Sequence, residues 1–389
     1  MKIGLLTHSV NPRGGVVHTI ELAHALHDAG RDVTVIAPAA PGQQFFRTLR
    51  CAVSLAPLAG TPADMVAMVG SRIEAYLDHL APLLARESFD VLHCHDGIGG
   101  NALATLQDRG LIDGFVRTVH HLDNFAQPQL MQWQCRSVHR AQRVLCVSGL
   151  WRDILAREHG ITALEVPNGV DRTRYSAIPQ PDDSALAQRL GVRRDGNVLL
   201  CVGGVEERKN SLRLLRAFAQ LRVQMPQLQL VIAGGASLLD HSVYASAFKA
   251  AMQDFGLASG PGQPLLLTGA LADADMPGLF RLADAVAMPS ISEGFGLVVL
   301  EALCSGVPVV VSRIPPFTEY LQQNDCSWAD PLSADSIAQA ITHALRTVDT
   351  ARITGSAARL ATRFDWSRSA QRHLDIYRQL PLRETAPCL

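Results

Sequence analysis

Two carboxylates, Glu293 and Glu301, stand eight positions apart in a segment that is otherwise apolar, small or glycine, Ser292-Glu293-Gly294-Phe295-Gly296-Leu297-Val298-Val299-Leu300-Glu301-Ala302-Leu303-Cys304-Ser305-Gly306-Val307-Pro308. An ionised carboxylate in such surroundings loses its hydration at a cost of several kcal/mol unless a partner replaces the water. Glu301, flanked by Leu300 and Ala302, is therefore expected to be buried and to hold a hydroxyl or a cation. Gly294 and Gly296 let the backbone turn tightly and come close to a ligand. Leu297, Leu300 and Cys304 then recur at helical spacing until Gly306 and Pro308 stop the helix. This sets Glu293 at a helix mouth, where free backbone N–H groups and the positive end of the dipole favour an anionic or polyhydroxylated ligand. Glu301 falls about two turns further in.

Other loops carry compatible chemistry. In Asn11-Pro12-Arg13-Gly14-Gly15-Val16-Val17, the pair Gly14 and Gly15 follows an aliphatic run and precedes a helical run from His18 to Leu26. Strand, glycine turn and helix in that order face backbone N–H groups toward a phosphate. The spacing is not G-x-G-x-x-G, so a dinucleotide site is not indicated. Val202-Gly203-Gly204-Val205-Glu206-Glu207-Arg208-Lys209-Asn210-Ser211 leads into a second helix, expected over Leu212–Leu221. Two adjacent cations at a helix start oppose the dipole unless an anion sits there, and a diphosphate is the anion expected beside Arg208 and Lys209. His120 and His121, after Val119, and His95, after Cys94, close aliphatic runs at the sheet edge where open α/β folds place ligands. Asp273-Ala274-Asp275 has the form of a metal-holding D-x-D, but it precedes the helical run Met276–Leu282, where acids cap the backbone and suit the dipole. Capping, not metal binding, is the expectation there. Walker-type and G-x-S-x-G motifs are absent from the sequence.

Sheets must carry these loops. Aliphatic runs predict strands at Ile3–Leu6, Val33–Ala37, Val91–Cys94, Val116–Val119 and Val144–Val147, and again at Val198–Val202, Leu228–Ala233, Leu265–Thr268, Ala285–Met288 and Val307–Val311. Strands alternating with longer helical segments imply parallel sheets with right-handed crossovers, hence an α/β protein of two Rossmann-like domains. The proline-bearing, aperiodic stretch Tyr175–Asp183 reads as the linker. This gives domains over 1–175 and 184–363 facing across a cleft, followed by a C-terminal helix and tail over 364–389. Leu374, Tyr377 and Leu380 share one face of that helix.

Composition agrees and excludes several classes. The 389 residues are 48% hydrophobic, 5% aromatic and 18% charged, an aliphatic makeup suited to sheets buried on both faces. A net charge of −1 without long Lys/Arg runs disfavours nucleic acid as a partner. The eight cysteines include no C-x-x-C pair, which speaks against a zinc knuckle or a disulfide framework. Lys2-Ile3-Gly4-Leu5-Leu6 starts a strand with no signal-peptide pattern, and no segment reaches membrane-spanning length, so a cytoplasmic protein is expected. Met65, Val69, Ile73, Leu77, Leu80 and Leu84 form an apolar stripe. With Asp64, Glu74 and Asp78 beside Arg72 it lacks the basic flanks of an interfacial helix, so packing on the first sheet is favoured over membrane association.

The Glu-x7-Glu segment resembles the signature of the retaining glycosyltransferases of the GT4 group, the glycosyl transferase group 1 family, which have the two-domain GT-B fold. The resemblance implies that Glu293 contacts the donor sugar, that the backbone of Phe295, Gly296 and Leu297 approaches the sugar and phosphates, and that Glu301 binds the nucleotide ribose. It assigns Gly14 and Gly15 to the loop near the donor pyrophosphate and the acceptor, His120 to the donor sugar, and His95 to the acceptor side. Lys209 matches the family lysine that neutralises the leaving group. The family arginine is replaced by Gly204, and Arg208 is the candidate substitute. Pro167-Asn168-Gly169-Val170-Asp171 matches a further family pattern, and the C-terminal helix is implied to cross back onto the first domain. The implied activity is metal-independent, retaining transfer from a nucleoside diphosphate sugar to a small-molecule, glycan or lipid-linked acceptor, without a cofactor. Front-face attack is implied, since no first-domain carboxylate is placed as a nucleophile. A nucleotide-sugar epimerase or phosphorylase on the same fold is the alternative, as is a non-catalytic sugar-nucleotide-binding subunit, which Gly204 prompts.

Overall fold

Short aliphatic runs that have no polar alternation suit strands covered on both faces, and they form two parallel sheets. The computed structural model describes residues 1–60, 62–235 and 241–380; the end of the expected tail, 381–389, lies outside the described residues. The chain forms two units, Met1–Gly169 together with the chain from Asp365, and Val170–Phe364.

The first unit holds β1 (Lys2–Leu6), β2 (Asp32–Ala39), β3 (Ala52–Pro57), β4 (Val91–Cys94), β5 (Val116–Val119), β6 (Arg143–Cys146) and β7 (Leu164–Glu165). They pair in parallel in the order β3-β2-β1-β4-β5-β6-β7. Alternate residues serve opposite faces. Leu92 and Cys94 of β4 join Ile73, Tyr76, Leu77 and Leu80 of helix Met65–Leu84 in one core cluster. His93, between them, bonds Tyr377 of helix Trp366–Tyr377 on the other face. Ile73, Leu77 and Leu80 of the apolar stripe are buried, Met65, Val69 and Leu84 are half-buried, and the Tyr76 hydroxyl donates between the Thr7 and Ile36 carbonyls at 2.6 and 3.0 Å. Among the described residues no helix is long and apolar enough to cross a membrane.

The second unit holds β8 (Val198–Val202), β9 (Gln229–Ala233), β10 (Leu265–Gly269), β11 (Ala285–Met288), β12 (Val309–Ser312) and β13 (Ser327–Ala329), ordered β10-β9-β8-β11-β12-β13. Leu214 and Phe218 of helix Ser211–Gln224 and Ile337 and Ile341 of helix Ala334–Arg346 fill the core on one face. In both units the first strand lies in mid-sheet and the strand order reverses beside it, between β1 and β4 and between β8 and β11. At such a switch point the loops leaving the carboxyl ends of the two strands diverge and open a crevice for ligand.

The unit boundary differs from the linker expected at Tyr175–Asp183. It falls at Gly169 and Val170, inside the Pro167–Asp171 motif. The reason is anchoring: Tyr175 is buried edge-on against Phe280 at 5.6 Å, and Arg174 pairs with Asp273 at 2.8 Å, so this stretch belongs to the second unit despite its prolines. The helix Trp366–Tyr377 packs on helix Gly14–Asp28 of the first unit.

Candidate functional site

The switch point of the second unit gathers the carboxylate and cations. After β8 the chain turns through Gly203, φ +141°, whose missing side chain leaves room for the Lys209 stem; a Cβ there would stand 3.0 Å from Lys209 Cγ. Asn210 follows in the left-handed region, φ 59°, and its amide donates to the Pro289 and Pro331 carbonyls at 2.9 and 2.7 Å. The Ile291 amide donates to the Arg208 carbonyl at 2.9 Å. These bonds hold the loop after β8 against the loops after β11 and β13 and bring distant side chains together. Lys209 Nζ lies 2.6 Å from Glu293 Oε1, Arg208 donates to Glu293 Oε2 at 3.0 Å, and the Ser290 hydroxyl donates to Oε1 at 2.9 Å.

Glu293 is buried. Burial alone would raise its carboxyl, but the Lys209 and Arg208 charges outweigh it, and with bonds from Lys209 and Ser290 they lower it to about 2. Within the protein, Glu293 supplies one anion to these two cations. In this cluster two cations share one carboxylate. The Arg208 side chain keeps 32% of its surface exposed against 12% for Lys209, so Arg208 is the more easily redirected toward a phosphate.

Gly296, φ +90°, begins helix Leu297–Cys304, and a Cβ there would fall 2.3 Å from Phe317 Cε1, so glycine is required. Phe295 is buried, stacked on Tyr320 at 5.3 Å, and its carbonyl accepts from the Tyr320 hydroxyl at 3.0 Å. Its side chain belongs to the scaffold, while Leu297 opens the helix half-buried. Glu301 is half-buried, not buried as expected. On the helix its neighbours Leu300 and Ala302 turn inward, whereas Glu301 shares a face with Leu297 and Cys304.

Asp273 and Asp275 stand in the first turn leading into helix Met276–Leu282, where acids suit the dipole. Asp275 makes no side-chain capping bond and pairs instead with Arg189 at 2.7 Å, while Asp273 pairs with Arg174.

The switch point of the first unit collects imidazoles. Gly14 and Gly15 lie in the first turn of helix Gly14–Asp28, and a Cβ on Gly15 would come 3.7 Å from His120 Cδ2. His120 follows β5, His95 follows β4, and His18, which sequence reasoning missed, reaches the same place from the helix: its ring lies 4.5 Å from His120 and 5.0 Å from His95. His18 Nδ1 bonds Asn168 Oδ1 at 2.8 Å, and His93 bridges Tyr377 and Thr118. Burial lowers the His18 imidazole to about 3, aided by His373, and lowers His373 to about 4. Burial also pushes His93, His95 and His120 well below the usual histidine range. The cluster is neutral at physiological pH. His121 stands aside, 3.5 Å from Asp123.

Comparison with known proteins settles the family. The family model described as Glycosyl transferases group 1 matches residues 182–361, and that described as Glycosyltransferase Family 4 matches residues 12–174. The chain belongs to the GT4 group of glycosyltransferases. This GT4 chain is 26% identical over 387 residues to a phosphatidyl-myo-inositol mannosyltransferase of Mycolicibacterium smegmatis, covering 97% of this chain and 93% of the relative. Its fold is shared by sucrose-phosphate synthase of Thermosynechococcus elongatus, with TM-score 0.79, 21% identity, and coverage of 97% and 98%. It is shared too by Anabaena HepE, solved with UDP and glucose, with TM-score 0.77, 20% identity, and coverage of 98% and 100%. The GT4 chain accordingly has the GT-B fold, with its C-terminal helix returning to the first unit.

Proposed function

We propose that this GT4 glycosyltransferase moves a mannosyl or glucosyl group from a nucleoside diphosphate donor, with retention and without a metal ion. The observation that carries the reading is the Arg208–Glu293–Lys209 cluster at the switch point between β8 and β11. A departing diphosphate gains negative charge as the glycosidic bond breaks, and preformed cations in a partly desolvated crevice stabilise that charge without reorganising. Lys209 and Arg208 hold the diphosphate, Glu293 orients sugar hydroxyls while balancing the cations, and the backbone at Phe295, Gly296 and Leu297 with the N–H groups of helix Leu297–Cys304 lines the donor. Glu301 takes the ribose. In the first unit His120, Gly14 and Gly15 serve the donor side and His95 the acceptor side. The inositol-bearing acceptor named for the M. smegmatis relative makes a cyclic polyol the first acceptor to try, free or lipid-linked. A cytoplasmic location accompanies this reading, and cell fractionation checks it.

UDP-glucose and GDP-mannose offered with myo-inositol, its phosphates and phosphatidylinositol test the reaction. Transfer with the anomeric configuration of the donor kept, read by NMR of the product, is the expected result; hydrolysis alone or an inverted product refutes it. Activity is expected to survive EDTA, since the phosphate charge is met by side chains; loss on chelation with recovery on Mn²⁺ would assign that task to an ion.

Glu301→Ala tests the ribose assignment. A half-buried carboxylate can be removed with little harm to the fold, and a lost charged hydrogen bond weakens nucleotide binding by about 1.5–3 kcal/mol. Calorimetric titration with UDP and GDP reads it. An affinity equal to that of the wild type removes Glu301 from the site.

A further inference from the structure

His18, His95 and His120 come from three sequence-distant elements of the first unit, and each can offer a ring nitrogen such that all three lie within 4.8 Å of one another. The nitrogens are unclaimed: His18 Nε2, both nitrogens of His95, and His120 Nε2 are buried without a hydrogen-bond partner. Buried polar atoms that lack partners are costly and call for a ligand. The tautomer is suitable too. With Asn168 Oδ1 as acceptor, His18 carries its proton on Nδ1 and turns a lone pair on Nε2 inward, the arrangement in which an outer carbonyl orients a metal-bound histidine.

We propose that these three imidazoles form a binding site for one divalent transition-metal ion of the zinc class. Neutral imidazoles suit zinc, cobalt, nickel and copper, and three of them leave a fourth position open to water or an anion. With metal–nitrogen bonds of roughly 2.0–2.1 Å, tetrahedral ligand nitrogens stand roughly 3.4 Å apart, so side-chain rotations of about one ångström close the set. His120 is only half-buried and gives the ion a way in from solvent. No local spacing announces this site, because its ligands lie on a helix and beyond two different strands. The ion takes no part in neutralising the diphosphate, which falls to Lys209 and Arg208 in the proposed reaction. The ion would take ring nitrogens of His95 and His120, to which the proposed reaction gives the acceptor and the donor, so the site is proposed for the protein without substrate.

Untagged, chelator-stripped protein titrated with Co²⁺ tests the proposal by its visible d–d absorption. The expected result is the intense spectrum of four-coordinate cobalt, saturating at a single equivalent, without the near-ultraviolet charge-transfer band of thiolate ligands. His18→Gln and His95→Gln should each weaken binding at least tenfold, while His27→Ala, at an exposed position of the same helix as His18, binds as the wild type does. Zn²⁺ should raise the melting temperature of the wild type and of His27→Ala, and not of the two glutamine variants, because an ion that binds only the native state stabilises it. Circular dichroism of the stripped variants shows whether they fold; should either fail to, saturation and the missing thiolate band in the wild type still decide. No saturable binding, a thiolate band, or undiminished binding in a folded His18→Gln or His95→Gln protein overturns the proposal.

Discussion

Lys209→Ala is expected to lower kcat by about 10²–10³-fold with a far smaller rise in KM, the range seen when one preorganised charge-stabilising donor is removed. The split follows from when the charge appears. In the ground state the diphosphate is shared with the sugar and Lys209 is already satisfied by Glu293 at 2.6 Å; its attraction for the leaving group grows only as the bond breaks. The fold should survive, because Glu293 keeps its bonds from Arg208 and Ser290. Arg208→Ala should act in the same direction if Arg208 fills the part left by Gly204. Steady-state kinetics of both variants, with the donor varied at saturating acceptor, decides. A rise in KM with kcat unchanged would make Lys209 a ground-state binder only, and an unaffected Arg208→Ala would leave Gly204 as an uncompensated departure.

Chelator-treated protein should lose stability steeply as the pH falls from 6.5 to 5. Above the unfolded-state histidine pKa of about 6.5, the buried imidazoles are neutral in both states and contribute no pH dependence. Below it the unfolded chain takes up protons that the native cluster, with His18 held near 3 and His373 near 4, refuses. Acid therefore favours unfolding throughout the interval between the two values. At pH 5 His18 and His373 each cost about 2 kcal/mol, and His93, His95 and His120, held well below the usual histidine range by burial, act in the same direction. The carboxylates with lowered values do not confuse the window. Glu293, Asp183 and Asp325 have lowered native values, so what they contribute is present above the ordinary carboxylate range and is lost only below about pH 5. Trp133, Trp151 and Trp366 all lie in the first unit, which makes tryptophan fluorescence in urea a fitting probe. A midpoint that stays level from pH 7 to pH 5 would refute this account of the cluster.

The central strands were legible because strands covered on both faces must be aliphatic without interruption. Ala52–Pro57 escaped: β3 is an edge strand, partly exposed, and its Ala, Ser and Pro residues break the aliphatic run. Leu164–Glu165 and Ser327–Ala329 are too short to carry a pattern. At the site, the sequence placed Glu293 rightly at a helix mouth, whereas the burial of Glu301 was misread from its neighbours in sequence. On a helix, adjacent residues point about 100° apart, so apolar neighbours say little about the side chain between them. The pairing of Glu293 with Lys209, 84 residues away, and the place of His18 depend on how strands order themselves in the sheet, which no local window contains.

Tyr377 donates or accepts at His93 across 284 residues of sequence, and Trp366 lies edge-on to His18 at 5.3 Å. The first unit is therefore begun before the second in the chain and completed after it. During synthesis on the ribosome the continuous second unit has all of its strands before the helix Trp366–Tyr377 exists, so it can complete its core first, reversing the usual order in which the N-terminal domain leads. Until helix Trp366–Tyr377 emerges, the face of β4 that carries His93 lacks the helix that covers it, and apolar surface of the nascent first segment stays open to aggregation.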